Sequence, residues 1–194
     1  MKEGAFMNDC RKDNLTHFAV TVISKDRPGI VADITEILYL LGCNLEDSSC
    51  TMLGGDFAII LIVSHEKPFN RSRLTGEFRS QFGRTGLHVH VRTLRNDDVR
   101  PIKEEGELCL ISVYGSDQSG IVYRVTKELA DRAVNITDLN TRLIGTKEEP
   151  AYVLMLEAIL PSGLTVEDVE LLLEKLKKEL NVEIKVRTIT PVSL

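Results

Sequence analysis

Tryptophan is missing from this chain, and aromatic residues fill only 5% of its 194 positions. A module that reads single-stranded nucleic acid by stacking needs rings on its central strands, so that class is disfavoured. Positive charge is also lacking: net charge is −5 and the sequence pI is about 5.5. Bulk attraction to phosphate backbones is disfavoured, without excluding a local basic patch. The four cysteines, Cys10, Cys43, Cys50 and Cys109, contain no Cys-x-x-Cys pair. Their spacing fits neither a zinc site nor a small disulfide framework, so reduced thiols and a cytoplasmic location are expected. No long apolar run exists. Ala58 to Val63 is far too short to span a membrane, and Met1 to Leu15 has no apolar core for a signal peptide.

What is present is a repeat. Asp26-Arg27-Pro28-Gly29-Ile30-Val31 returns as Asp117-Gln118-Ser119-Gly120-Ile121-Val122. Each copy follows an apolar, strand-like run and opens a helical pattern. In the first half, His17 to Ser24 predicts a strand with Phe18, Val20 and Val22 on one face. A helix to about Leu41 carries Ile30, Ile34, Ile37 and Leu41 at helical spacing, and Gly42 stops it. Strands Cys43 to Leu53 and Asp56 to Ser64 flank a Gly54-Gly55 turn. A helix from Arg71 to about Arg84 and a strand from Leu87 to Leu94 complete the order β-α-β-β-α-β.

The same order repeats after a polar connector, Arg95 to Glu107, that contains Pro101 and Gly106. Strands are predicted at Leu108 to Tyr114, Val134 to Ile144, Ala151 to Leu160 and Asn181 to Ile189. Helices are predicted at Ser119 to Ala133 and Val166 to Leu180. Val91-Arg92-Thr93-Leu94 recurs as Val186-Arg187-Thr188-Ile189, and Asn44 as Asn135. The expected fold class is α+β: two tandem ferredoxin-like units, each an antiparallel four-stranded sheet with its helices on one face. The expected boundaries are a flexible lead-in at 1–14, a first unit at 15–95, a linker at 96–106 and a second unit at 107–194. Ala58 to Val63 is apolar on both faces, which predicts that the open sheet faces are covered within the chain or between two chains.

Asp-Arg-Pro-Gly-Ile-Val, followed by Gly42-Cys43-Asn44-Leu45-Glu46-Asp47-Ser48, resembles an ACT domain. With Met52-Leu53-Gly54-Gly55-Asp56-Phe57, the first half is similar to the glycine cleavage system repressor family. It also resembles the N-terminal regulatory segment of formyltetrahydrofolate deformylases, whose downstream hydrolase domain is not expected here. The resemblance covers both repeats and is stronger in the first. It implies a regulatory module that binds an amino acid at the strand-to-helix turn, often across an interface between two such domains. It further implies a homo-oligomer whose protein partner is a transcription factor, with no direct nucleic-acid contact, no membrane, no metal and no cofactor beyond an amino-acid effector.

The candidate ligand residues are Asp26, Arg27, Pro28, Gly29, Ile30, Val31 and Asn44, with Asp117, Gly120, Ile121 and Asn135 in the second repeat. Gly29 lets the backbone approach a ligand closely, and the N–H groups of Ile30 and Val31 suit a carboxylate. Asp26 can accept from an α-ammonium, and Asn44 can serve either end of a zwitterion; family members use matching residues in this way. The competing structural reading has Asp26 capping the helix and Asn44 only starting a strand. In the second turn Gln118 and Ser119 replace Arg27 and Pro28, and Ser119 is itself a candidate cap. His88 and His90 share a strand face but have no further ligand nearby, so a polar face is the reading there rather than a metal site. Cys43 and Cys50 read as packed thiols. Arg71, Arg73, Arg79 and Arg84 with Lys67 are read as a solvated basic face, with an acidic protein partner as the alternative.

Two other functions fit the sandwich. An acylphosphatase-like hydrolase needs a loop arginine and an asparagine beyond it, for which Arg27 and Asn44 are candidates. A regulatory subunit of a metabolic enzyme is the second. The leading expectation remains a non-enzymatic amino-acid-responsive regulator, tied to glycine or one-carbon metabolism through the resemblance.

Overall fold

A computed structural model describes residues 15–66, 68–83, 86–99, 106–146 and 150–190. The expected lead-in at 1–14 therefore lies outside the described residues, as do Cys10, Lys67 and Arg84. The chain forms two compact units, residues 1–101 and 102–194. The first holds β1 (Thr16–Lys25), α1 (Ile30–Leu40), β2 (Asn44–Leu53), β3 (Asp56–His65), α2 (Arg71–Phe82), β4 (His88–Leu94) and the short α3 (Asn96–Val99). The second holds β5 (Glu107–Ser116), α4 (Ile121–Ala130), β6 (Asn135–Gly145), β7 (Pro150–Leu160), α5 (Val166–Leu180) and β8 (Val182–Thr188). Strand orders are β2-β3-β1-β4 and β6-β7-β5-β8, all pairs antiparallel. This is the ferredoxin-like α+β sandwich, twice.

Alternation builds each core. Phe18, Val20 and Val22 of β1 and Phe57, Ile59, Leu61 and Val63 of β3 are buried with Ile30, Ile34 and Ile37 of α1 and Leu74 and Phe78 of α2. The second unit repeats this with Ile111, Val113, Leu154 and Leu156 against Ile121, Val125, Leu173 and Leu176. Each of these side chains stabilises its unit by about 1.5–3 kcal/mol through removal from water. On the other sheet faces, Ile60, Met155, Ile23 and Tyr114 are about half exposed in the single chain.

The helix ends follow from local chemistry. At the end of α1, Gly42 adopts φ +73°, its N–H donates to Tyr39 O, and the N–H of Cys43 donates to Leu38 O, which satisfies two terminal carbonyls. Helix α4 is shorter than Ser119 to Ala133. Gly120 takes φ +94° and delays its start, while Arg132 and Ala133 close tight turns onto Leu129 O and Ala130 O. The connector also holds more structure than its polarity suggests, because Asp98 accepts from the Arg95 backbone N–H at 3.0 Å and starts α3.

Candidate functional site

The first turn is held at both ends. Lys25 and Asp56 pair at 2.6 Å, and the Asp26 N–H donates to Gly55 O at 3.2 Å, tying the turn to the β2–β3 hairpin. Gly29 is the N-cap of α1 in the left-handed region, φ +84°, where side-chain residues are strained. Asp33 N–H reaches Gly29 O at 2.9 Å, and Ile30 N–H makes only a long 3.4 Å bond to Arg27 O. The N–H groups of Val31 and Ala32 have no partner among the described residues. Such orphan donors carry the positive end of the helix dipole.

Asp26 does not cap the helix: no side chain does so here. Its carboxylate has no hydrogen bond or ion pair among the described residues. Arg27 is engaged, with Nη2 2.5 Å from Asp33 Oδ2 and Nη1 3.4 Å from Pro28 O. The turn thus brings backbone donors and a carboxylate unpaired among the described residues to one pocket lining.

A pocket of about 340 Å³ opens at this turn, lined by Asp26, Arg27 and Gly29 to Ala32. Its far wall is Cys50, Thr51 and Met52 of β2 and Phe57 of β3. Sequence reasoning missed these four. They arrive because the Gly54-Gly55 hairpin folds β2 back with Met52 opposite Phe57, placing the end of β2 beside the turn. Cys50 is not the packed thiol expected: it is exposed and part of the pocket wall. Cys43 is half-buried just before β2, and burial raises its thiol pKa; burial, then Glu107, pushes Cys109 up to about 11.

Asn44 lies elsewhere. It pairs across β3 with Ser64, which pairs with His17 at the start of β1, whereas Asp56 pairs with Lys25 at its end. The two rows are separated by 25 − 17 = 8 residues of β1, roughly 27 Å. Asp26 and Asn44 therefore do not meet within one unit, and neither do Arg27 and Asn44, the pair a hydrolase would need. Asn44 Nδ2 instead donates to Glu46 Oε1 at 3.0 Å.

The second turn repeats the backbone but not the chemistry. Gly120 is again the left-handed N-cap, with Arg124 N–H on Gly120 O, and Ser119 does not cap the helix. Gln118 Nε2 donates to Leu180 O at 2.5 Å, fixing the residue that replaces Arg27. Arg124, where the first unit has Asp33, pairs with Glu179 and lowers that carboxyl's pKa. Tyr123, mostly exposed, stands where the first turn has Ala32. Asp117 and Ile121 keep their places at this turn, and Asn135 again lies at the opposite end of its sheet, beside Ile159. His88 and His90 are exposed on β4, and among the described residues no three His, Cys, Asp or Glu side chains gather to hold a metal. No described helix is long and apolar enough to cross a membrane.

The sequence model of the ACT domain family matches residues 16–92 and again 107–187. The glycine cleavage system transcriptional repressor of Escherichia coli (strain K12) is 26% identical over 170 residues, covering 86% of this chain and 87% of the repressor. A UPF0237 protein of Methanopyrus kandleri is 37% identical over 79 residues, covering 40% of this chain and 88% of its own. Among solved structures, an unknown protein from Galdieria sulphuraria matches with TM-score 0.77 and 26% identity, over 91% of this chain and 99% of that one.

Proposed function

The chain belongs to the ACT domain family, and on that premise we propose that it is a non-enzymatic regulator that binds an amino acid at the first turn and controls transcription through a protein partner. The observation that carries this reading is the chemistry of that turn. The free N–H groups of Val31 and Ala32 face the negative end of a zwitterion, and the unpaired Asp26 carboxylate suits its positive end. Gly29 holds the backbone open between them. The partner is read as a transcription factor because the similarity to a transcriptional repressor spans 87% of that protein. A net charge of −5 fits a protein partner better than DNA. Self-association is part of the same proposal, since both sheets present exposed edge strands, β2 along its whole length and β6 at every residue but Ile136. Regulation requires the amino acid to favour one of two states, partner-bound or free. Calorimetric titration of the purified protein with each amino acid in turn tests the sensor: one or a few give saturable heat, and silence from all of them overturns it.

A further inference from the structure

Helices α2 and α5 carry opposite chemistry at matching positions. Helix α2 starts from the N-cap Asn70 and α5 from the N-cap Thr165. The third, sixth and ninth residues after those caps are Arg73, Gly76 and Arg79 in α2, and Asp168, Leu171 and Glu174 in α5. Residues three apart on a helix form one oblique ridge. The whole α2 set is exposed, and Leu171 is 76% exposed between its two carboxylates. Glu167, one turn before Leu171, adds a third carboxylate to the same face.

Gly76 is the residue that its own unit does not explain. A glycine inside a helix costs stability relative to alanine, yet a Cβ here would meet nothing within 4 Å. The unit has room for a side chain at this position, and its absence lets another surface approach the helix backbone closely. The charges around it are available. Arg79 has no ion pair among the described residues, and Arg73 lies 5.4 Å over the Phe69 ring, which orients its guanidinium without neutralising it. On α5, Asp168 takes both Thr165 bonds on Oδ2 and keeps Oδ1. Glu174 is 3.6 Å from each of Lys177 and Lys178, and Glu167 has no ion pair among the described residues.

We propose that α5 of a second copy of this chain docks on α2, with Leu171 seated over Gly76 and the carboxylates beside it against Arg73 and Arg79. The charge match holds for either helix direction. Antiparallel packing sets Arg73 against Glu174 and Arg79 against Asp168, and parallel packing exchanges the two partners. An apolar anchor meets a bare stretch of helix, and two arginines meet the carboxylates that flank the anchor. Nucleic acid is the poorer occupant of the arginines, because the chain carries a net charge of −5. This surface is distinct from the edge strands β2 and β6 and does not depend on the amino-acid site at the first turn.

The test is sedimentation velocity of the full-length protein over a range of concentrations. Wild type is expected to self-associate, less so as sodium chloride is raised. Arg73→Glu with Arg79→Glu, and separately Glu167→Lys with Glu174→Lys, should each weaken association by about tenfold or more. An equimolar mixture of those two variants should regain the wild-type size, since each reversed face then finds a reversed partner. Gly76→Leu should also weaken association while raising Tm, because leucine favours the helix and fills the space that Leu171 occupies. A wild type that stays monomeric throughout, variants that keep the wild-type size, as association through the edge strands alone would give, or a mixture that stays dissociated each overturns the proposal.

Discussion

The Arg27 guanidinium sits 2.5 Å from the Asp33 carboxylate across the first turn of α1, so the cation nearest the pocket is already neutralised. Asp26, next to it, is the pocket-lining charge with no partner among the described residues. The two residues should therefore respond differently to neutralisation. Asp26→Asn is expected to weaken amino-acid binding about tenfold, the value of one charge-assisted hydrogen bond. Arg27→Gln, the second unit's residue, should change affinity by less than about threefold and stability by less than about 1 kcal/mol, because the pair is largely exposed. Calorimetry on the two variants checks both.

Gly29 and Gly120 have open space where a Cβ would stand, so a side chain there is penalised by backbone strain alone. Valine at either φ, +84° or +94°, should destabilise its unit by about 1–3 kcal/mol. Asparagine, which tolerates the left-handed region, should cost clearly less at both positions. Urea unfolding of the four variants gives the comparison.

Cys50 and Cys109 separate by exposure. Under native conditions iodoacetamide should label Cys50, while Cys109, fully buried and with its pKa raised to about 11, stays unmodified until the protein unfolds. Because Cys50 is in the pocket wall, a bound amino acid should slow its labelling. Mass spectrometry of the two cysteine peptides reads both effects.

Helix α5 carries an acid-sensitive start. Thr165 Oγ1 accepts the Asp168 N–H, and the Asp168 carboxylate accepts the Thr165 N–H at 3.0 Å. The Thr165 N–H, and second the Thr165 hydroxyl, which donates to the same carboxylate at 2.9 Å, hold the carboxyl below its ordinary 3.8. A depressed carboxyl contributes stability above its unfolded value and loses it as pH falls through the lower folded value. Thr165→Ala should cost about 1 kcal/mol near neutrality and less in strong acid, measured as the gap between urea curves of wild type and variant at pH 6 and pH 2.

Much of this architecture is legible from residues. Ile30, Ile34 and Ile37 mark the buried face of α1, the Gly54-Gly55 pair marks the hairpin, and the recurring Asp-x-x-Gly-Ile-Val announces the second unit. The composition of the pocket is less so. Cys50 and Met52 belong to an edge strand exposed on both faces, so no alternation marks which residues turn toward Gly29. The separation of Asp26 from Asn44 follows from topology: α1 carries the chain back along the sheet, and β2 starts where β1 began. The row of His17, Ser64 and Asn44 is set by register, which hydrophobic pattern alone does not specify when one face is open.

The two turns share a backbone and differ in side chains, and the central claim is that the first is the working one. Whichever amino acid gives saturable heat with wild type should be titrated into Gly29→Val and Gly120→Val under the same conditions. The account predicts that Gly120→Val binds with near wild-type affinity and that Gly29→Val gives no heat. Binding retained by Gly29→Val and lost by Gly120→Val would contradict it.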